Sequence, residues 1–181
     1  MSAPLSEHPG LAQRAAVMLC TPHTMLPLNA DEAACVVAQM VLVHYPPRAT
    51  VLREGDNLRA NYLLLLLEGD VAVDTLGDPP SAAVEIGVIG AGSIIGEMAL
   101  LDGAPRSATC TAVSPVQAAG LSRLGLERLI AEHPQVAVKL LIGLASRIAE
   151  RLRALGDQLR LYSQLAASLQ AELERLRAGQ A

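Results

Sequence analysis

The sequence has little positive charge. Thirteen arginines and the single Lys139 stand against 18 acidic residues, and the net charge is −4 with a pI near 5.5. Proteins that attract nucleic acid or an anionic membrane usually present a basic face. We therefore expect neither a nucleic acid nor a membrane among the binding partners.

Cysteines and long apolar runs are also scarce. Cys20, Cys35 and Cys110 are odd in number and far apart, a pattern that predicts free thiols in a reducing compartment. The N-terminus lacks a basic segment before an apolar run, so it predicts no secretory signal. The strongest apolar windows, YLLLLLEG and VAVKLLIGLA, fall short of the roughly 18 to 20 residues that a membrane span needs. These absences favour a cytoplasmic protein.

Motifs of catalysis and metal binding are missing as well. The chain has no G-x-S-x-G, no H-E-x-x-H and no P-loop, so we expect no enzyme. Cys20 and His23 have a metal-like spacing, but no second pair follows, and we expect neither a metal nor a cofactor. The glycines of GAGSIIG run G-x-G-x-x-x-G outside any βαβ unit, which argues against a dinucleotide fingerprint.

Three regions remain when the pattern is followed along the 181 residues. Residues 1–45 are predicted to be a helical segment, in which Asn29 is an N-cap and Glu32 completes a capping box. Residues 46–122 alternate short apolar runs with turn signals, which predicts an antiparallel sandwich or barrel rather than βαβ units. Within this region, LEGDV around Gly69 predicts a hairpin turn. With 51% apolar residues the chain is long enough for one compact domain plus an appendage.

Residues 123–181 change to a helical period. A short helix closes before Pro134, and Pro134 fits the first turn of a long helix over 134–178. Apolar residues then alternate steps of four and three, as in a coiled coil. Its predicted a positions are Leu152, Leu159, Ala166 and Leu173, and its d positions are Ile148, Leu155, Tyr162, Leu169 and Leu176.

Two readings of this seam stay open. The helix either lies on its own domain or pairs with a second copy of the chain through residues 145–177. Its length, on the order of 60 Å at 1.5 Å per residue, favours the homodimer. Gly156 falls at an e position beside the seam, where it either allows a close approach of two helices or marks a hinge.

The stretch GEMALLDGAPRSATC, residues 96–110, concentrates polar chemistry. A helix start with free N–H groups and a nearby arginine favours an anion, most simply a phosphate held by Arg106. Glu97 would repel that phosphate, so its carboxylate is expected to accept a hydrogen bond from a sugar hydroxyl. An anion beside a hydroxyl describes a nucleotide.

The stretch GSIIGEMALLDGAPRSATCTA resembles the phosphate-binding cassette of cyclic nucleotide-binding domains, placed here at residues 93–109. VLREGDNLRANYLLLLLEGDVAV is similar to the hairpin that precedes that cassette, with Gly55, Asp56 and Gly69 at the expected kinds of position. The resemblance runs from about Asn29 to Leu176. It implies an antiparallel β jelly roll flanked by short helices, which places the chain in the α+β class with a mainly β core.

The resemblance also implies a set of ligand contacts. Glu97 would accept a hydrogen bond from the ribose 2′-hydroxyl, and Arg106 would bind the cyclic phosphate. Ser107 in place of threonine leans towards cyclic AMP, with cyclic GMP as the alternative. The turn that reads the base in some relatives is AERLRAL here, and Arg151 could stack on an adenine face. The remaining implied contacts are Gly96, Met98 and Ala99.

These expectations amount to a receptor module that binds a cyclic nucleotide and relays its presence through a dimerising helix to a protein partner that the sequence does not identify. A dimerising adaptor with an unused or retuned pocket is the alternative. A truncated transcription regulator is another, since such regulators place a DNA-binding domain after the long helix, where this chain ends in LRAGQA.

Overall fold

The computed structural model describes residues 3–20, 25–57, 61–76 and 83–178. In these ranges the strands form a five-stranded sheet, ordered β1-β2-β9-β4-β7, and a four-stranded sheet, ordered β3-β8-β5-β6, with antiparallel pairing throughout. The strands are β1 (Ala3–Pro4), β2 (Met40–Tyr45), β3 (Thr50–Leu52), β4 (Tyr62–Glu68), β5 (Val71–Leu76), β6 (Ala83–Ile89), β7 (Ile94–Ile95), β8 (Thr109–Ala112) and β9 (Val116–Ser122).

Helices flank the sheets. They are α1 (Pro9–Leu19), α2 (Ala30–Ala38), α3 (Glu97–Asp102), α4 (Arg123–Glu132) and α5 (Pro134–Ala178), and a short 3₁₀ turn spans Leu5–Glu7. The capping box of α2 is confirmed, because the Glu32 amide donates to the Asn29 side chain and the Asn29 amide donates to Glu32, both at 2.9 Å. The predicted jelly roll with flanking helices and a long C-terminal helix is confirmed.

Strand β4 lies between two hydrophobic cores, which explains its uninterrupted run of leucines. Leu64 and Leu66 point into the core between the two sheets, whereas Leu63, Leu65 and Leu67 pack against the helices. All five are nearly inaccessible to solvent. A strand buried on both faces needs no alternation of polar residues.

The prediction that residues 1–45 are helical is wrong at its end. Helix α2 ends at Ala38, and Met40–Tyr45 is β2, which pairs with β9 and with the short β1 near the N-terminus. The run of strands that follows the N-terminal helices therefore begins at Met40 rather than at residue 46. A short apolar run is compatible with either a helix or a strand. Here the segment is a strand because its backbone pairs with β9.

The prediction of a hairpin around Gly69 is also wrong. β4 and β5 follow each other in the chain but belong to different sheets, so the turn between them crosses the sandwich. Gly69 has φ 84°, and a Cβ atom there would overlap the Pro115 carbonyl. Glycine is required because the turn passes directly over the loop before β9.

Helix α5 has a packed root and an exposed outer half. Val136, Ala137, Leu140 and Leu144 are buried against the helical side of the core. The Lys139 ammonium donates to both carboxylate oxygens of Glu32 at 2.6 and 2.8 Å, which ties this root to α2. From residue 150 to residue 170 every side chain is exposed.

Candidate functional site

The candidate site is a cavity of about 580 Å³ between the cassette, strands β5, β6 and β8, and helix α5. Cavities of this size hold small organic ligands. All the residues that the sequence singled out as ligand contacts line it together. They are Gly96, Glu97, Met98, Ala99, Arg106 and Ser107 from the cassette and Arg151 from α5.

Two glycines in the left-handed conformation shape the cassette. Gly96 (φ 75°) precedes α3 and Gly103 (φ 72°) ends it, so this single short helix is turned sharply at both ends. A Cβ atom on Gly96 would overlap the guanidinium of Arg106. The glycine is therefore needed both for the turn and for the close approach of Arg106.

Arg106 is buried, with only 5% of its surface exposed. Its guanidinium donates to the Gly96 carbonyl at 2.7 Å and to the Tyr62 carbonyl at 2.9 Å, and it lies over the Tyr62 ring with 4.6 Å to the centroid. Burying an arginine in this way is costly unless its donors are satisfied. Arg106 thus supports the fold of the cassette as well as lining the cavity.

The backbone of Arg106 is fixed by the loop after β3. Its amide donates to the Asp56 carbonyl at 3.0 Å, and its carbonyl accepts from the Gly55 amide at 2.9 Å. Gly55 has φ 77°, which a glycine adopts without strain. The Gly55 and Asp56 pair picked out in the sequence therefore positions the arginine from behind and does not itself line the cavity.

Glu97 is also 5% exposed, and it faces α5. Its Oε1 accepts from the Arg151 guanidinium at 3.2 Å, while about half of the Arg151 side chain stays in contact with solvent. Glu97 and Arg151 also border a smaller cavity of about 130 Å³ together with Ser93, Leu144 and Arg147. The predicted stacking partner of a base therefore forms an ion pair with the predicted ribose acceptor.

The rest of the cavity wall is largely apolar. It is formed mainly by β6 on one side and by α5 beyond Arg151 on the other, with further side chains from β3 and β5, a lining suited to a flat heterocycle. Sequence reasoning missed these residues because their apolar pattern only indicates strand or seam. They include Leu52, Val73, Ile86, Val88, Ile89, Ala154, Leu155 and Gln158.

Two polar residues near the site were missed for different reasons. Tyr62 opens the leucine-rich β4, and nothing in its local sequence connects it with Arg106, 44 positions later. Arg147 donates to the Gly92 carbonyl at 3.1 Å and joins α5 to the loop before the cassette. One signal could have identified Arg147, since it precedes Arg151 by one helical turn and so lies on the same face.

Burial raises the pKa of two acidic side chains near the site. The pKa of the Cys110 thiol, which lines the cavity, is raised to about 11, mainly by desolvation and further by Glu97. The pKa of Tyr45 is raised to about 12 by desolvation and by the neighbouring Tyr62. Both groups are therefore neutral near pH 7.

Other predicted features gain no site in the described ranges. His23 lies outside the described residues, so the Cys20 and His23 spacing is untested. In the part of the chain that the structure covers, no three His, Cys, Asp or Glu side chains cluster as metal ligands would. No described helix combines the length and apolarity needed to cross a bilayer.

Comparisons with known proteins agree with this geometry. A profile of the cyclic nucleotide-binding domain matches residues 42–133. The CRP-like cAMP-activated global transcriptional regulator of Mycobacterium tuberculosis is 27% identical over 124 residues, which are 68% of this chain and 54% of the regulator. The chain thus spans about half the length of that relative. A cAMP-dependent protein kinase regulatory subunit of Aspergillus niger is 33% identical over 57% of this chain and 24% of the subunit.

Solved structures give the same answer. A cyclic nucleotide-binding domain from Methylobacillus flagellatus superposes with a TM-score of 0.76 at 33% identity, covering 82% of each chain. The catabolite activator protein of Thermus thermophilus superposes with a TM-score of 0.64 at 29% identity, covering 75% of this chain and 61% of that one. With its jelly roll, its cassette and a matching profile over half its length, the chain belongs to the cyclic nucleotide-binding domain family.

Proposed function

We propose that this domain is a receptor for a cyclic nucleotide, cyclic AMP in the first place and cyclic GMP as the alternative, bound in the 580 Å³ cavity. The observation that carries the proposal is the pair of buried, oppositely charged groups on one cavity wall, Glu97 and Arg106. Arg106 binds the cyclic phosphate, and Glu97 accepts a hydrogen bond from the ribose 2′-hydroxyl. Ser107 and backbone groups of Gly96, Met98 and Ala99 surround the ring.

Arg151 connects this ligand to α5. A ribose hydroxyl at Glu97 competes with the Arg151 guanidinium, which now lies 3.2 Å from Glu97 Oε1. Once displaced, Arg151 is free to stack on the purine. Because Arg151 belongs to α5, occupancy changes the contacts that hold the helix against the cassette, and a ligand shifts an equilibrium between states that it binds unequally.

The proposal is tested by calorimetric titration with cyclic AMP and cyclic GMP. A charge-assisted hydrogen bond contributes about 1.5–3 kcal/mol, so Arg106→Leu is expected to weaken binding by roughly ten- to more than a hundredfold. Arg106 also holds two backbone carbonyls, so this variant should lose stability as well. Arg106→Lys, which keeps the charge, and Arg128→Leu, an exposed arginine on α4, are measured beside it.

The outcomes separate the candidates. Micromolar or tighter binding that collapses in Arg106→Leu but survives in Arg128→Leu supports a nucleotide receptor. Wild-type protein that binds neither nucleotide contradicts the proposal and favours the dimerising adaptor with a retuned pocket. Melting curves identify any variant that lost binding by unfolding.

We further propose that output passes through a homodimer of α5 over residues 145–177 to a protein partner. The supporting observation is an exposed apolar stripe on a single helix; Leu152, Leu159, Tyr162 and Leu169 are each more than 60% exposed. Apolar patches of this kind usually mark an interface.

Sedimentation of Leu159→Glu tests the dimer, with Gln164→Glu as a control that adds the same charge to the helix away from the predicted seam. We expect a dimeric wild type and control and a monomeric Leu159→Glu. A wild type that stays monomeric at high micromolar concentration contradicts the proposed dimer. It leaves the proposed nucleotide binding unaffected.

A further inference from the structure

The Tyr62 ring packs against one face of the Arg106 guanidinium, outside the cavity. The guanidinium carbon of Arg106 is 4.6 Å from the centroid of the Tyr62 ring, while Tyr62 itself does not line the cavity. The ring therefore covers one face of the arginine that the ligand does not occupy. Tyr62 is the first residue of β4, and its backbone is held by pairing with Ser122 on β9.

Tyr62 touches Arg106 in two separable ways. Its backbone carbonyl accepts from Arg106 at 2.9 Å, and its side chain supplies the ring below the guanidinium. A substitution at this position removes the ring but keeps the carbonyl. The chain therefore offers a clean way to remove the ring without breaking the hydrogen bond.

A residue of a third strand lies beside the ring. Tyr45, at the end of β2, is near enough to Tyr62 for Tyr62 to contribute to its raised pKa, and both side chains pack on the core between the two sheets. The Tyr62 ring thus lies between the core of the sheets, where Tyr45 also packs, and the Arg106 guanidinium.

Orientation matters for an arginine that binds a phosphate. A guanidinium is planar, and its bidentate recognition of a phosphate works only when its free edge faces the anion. Because its guanidinium donates to the Gly96 and Tyr62 carbonyls, Arg106 has few orientations left. A ring against its face removes the remaining freedom to tilt, and binding then costs less ordering.

We infer that Tyr62 is a positioning residue for phosphate recognition, holding the plane of Arg106 in the orientation that faces the cyclic phosphate, with Tyr45 packed beside the ring. The inference rests on the nucleotide binding proposed above. Tyr62 itself does not line the cavity, so it is not expected to contact the ligand.

The test compares Tyr62→Leu with Tyr62→Phe by titration with cyclic AMP and with adenosine, which lacks the phosphate. Cation–π contacts predict a loss of roughly three- to thirtyfold in cyclic AMP affinity for Tyr62→Leu and rescue to within about twofold by Tyr62→Phe. Adenosine affinity should stay the same in all three proteins. In an Arg106→Leu background, Tyr62→Leu should cause no further loss.

Leu65→Ala is the structural control. Leu65 lies on the same strand, is fully buried, and packs on the helical side away from Arg106. It should lower the melting temperature at least as much as Tyr62→Leu while leaving cyclic AMP affinity within twofold. Equal losses of affinity in Leu65→Ala and Tyr62→Leu, or equal losses for cyclic AMP and adenosine, would overturn the positioning role.

A readout without ligand keeps this inference separate from the proposed function. The Nε–Hε signal of Arg106 in a ¹⁵N spectrum, assigned by its absence in Arg106→Lys, should be shifted by the Tyr62 ring current. It should move and broaden in Tyr62→Leu and return in Tyr62→Phe. An unchanged signal in Tyr62→Leu contradicts the inference even if cyclic AMP binds, whereas a wild type that fails to bind contradicts only the proposed function.

Discussion

The two walls of the cavity are built in different ways. On the cassette wall, Glu97 and Arg106 are each 5% exposed, and Arg106 is fixed by backbone carbonyls and an aromatic ring. On the helix wall, the residues from Arg151 to Gln158 are exposed. Arg151 reaches across the cavity and forms an ion pair with Glu97.

The two walls therefore suit different roles, recognition of the ligand and response to it. Buried charges with satisfied hydrogen bonds are rigid and arranged in advance for a ligand. A half-exposed ion pair contributes little stability, so it is easily exchanged for another partner. The cassette is suited to hold a nucleotide, and the helix is suited to react to it.

The largest expected effect contrasts the root of α5 with its outer half. Leu144 is 1% exposed and Leu159 is 67% exposed. Leu144→Ala should lower the free energy of unfolding by about 2–5 kcal/mol, as buried leucines do. Leu159→Ala should change it by less than about 0.5 kcal/mol at concentrations where the chain is monomeric. Urea denaturation measures both, and equal losses would mean that the outer half packs on its own domain.

The next effect concerns the cassette wall alone. In Gly96→Ala the new Cβ overlaps the Arg106 guanidinium, so cyclic AMP affinity should fall at least about tenfold as that charge-assisted contact is displaced. Gly103→Ala is the matched control, because Gly103 has nearly the same φ but the nearest group to its Cβ position is Arg123, at 3.7 Å. Both variants should lose stability, and only Gly96→Ala should lose affinity. Equal losses of affinity in the two variants would show that backbone strain, not Arg106, governs binding, and no loss in either would mean that the overlap with Arg106 does not affect binding.

Gly156→Ala examines the outer half of α5. The position has open space around it, so the substitution should stabilise the helix by up to about 1 kcal/mol. Far-ultraviolet circular dichroism during heating measures the gain. A large change in nucleotide affinity instead would identify Gly156 as a hinge in the response.

Arg151→Gln addresses the ion pair that joins the two walls. The arginine is half exposed, so the pair is worth about 0.2–1 kcal/mol, and affinity should change by less than about fivefold. Hydrogen exchange along residues 147–158 should respond to cyclic AMP in the wild type and not in the variant. A loss of affinity beyond tenfold would make Arg151 a principal ligand contact and not a relay.

The raised pKa values of Cys110 and Tyr45 predict an effect of pH on stability under alkaline conditions. The pKa of Cys110 is raised from 9.0 to about 11 and that of Tyr45 from 10.0 to about 12, so the folded state favours their neutral forms. The stability that this provides is complete below pH 9 and is lost as the pH rises towards 12. Melting temperatures between pH 8 and 12 should fall less steeply in Tyr45→Phe, and an unchanged slope would contradict the raised pKa.

Much of the fold and of the site could be predicted from local signals. The capping box at Asn29 and Glu32, the boundary at Pro134 and the apolar runs of the sheets each depend on residues close in sequence. The cassette is likewise contiguous, so Glu97 and Arg106 could be recognised together within one stretch. Local patterns are reliable where neighbours in sequence are also neighbours in space.

The incorrect predictions concern segments whose structure depends on residues far away in sequence. The sequence predicts a helix through Met40–Tyr45, but a short apolar run fits either structure, and pairing with β9 makes this segment a strand. The turn at Gly69 looks like a hairpin locally, but β5 finds its partners in β6 and β8. Both decisions depend on strands far away in sequence.

By itself the sequence determined the chemistry of this protein: an arginine and a glutamate in one glycine-bounded stretch, a β-rich core and a long apolar seam. The tertiary structure decided how those groups are presented. It placed Tyr62 beneath Arg106 across 44 residues and Arg151 against Glu97 across 54. The physical reason is that side-chain identity is local, whereas burial and orientation are set by whichever segments the folded chain brings together.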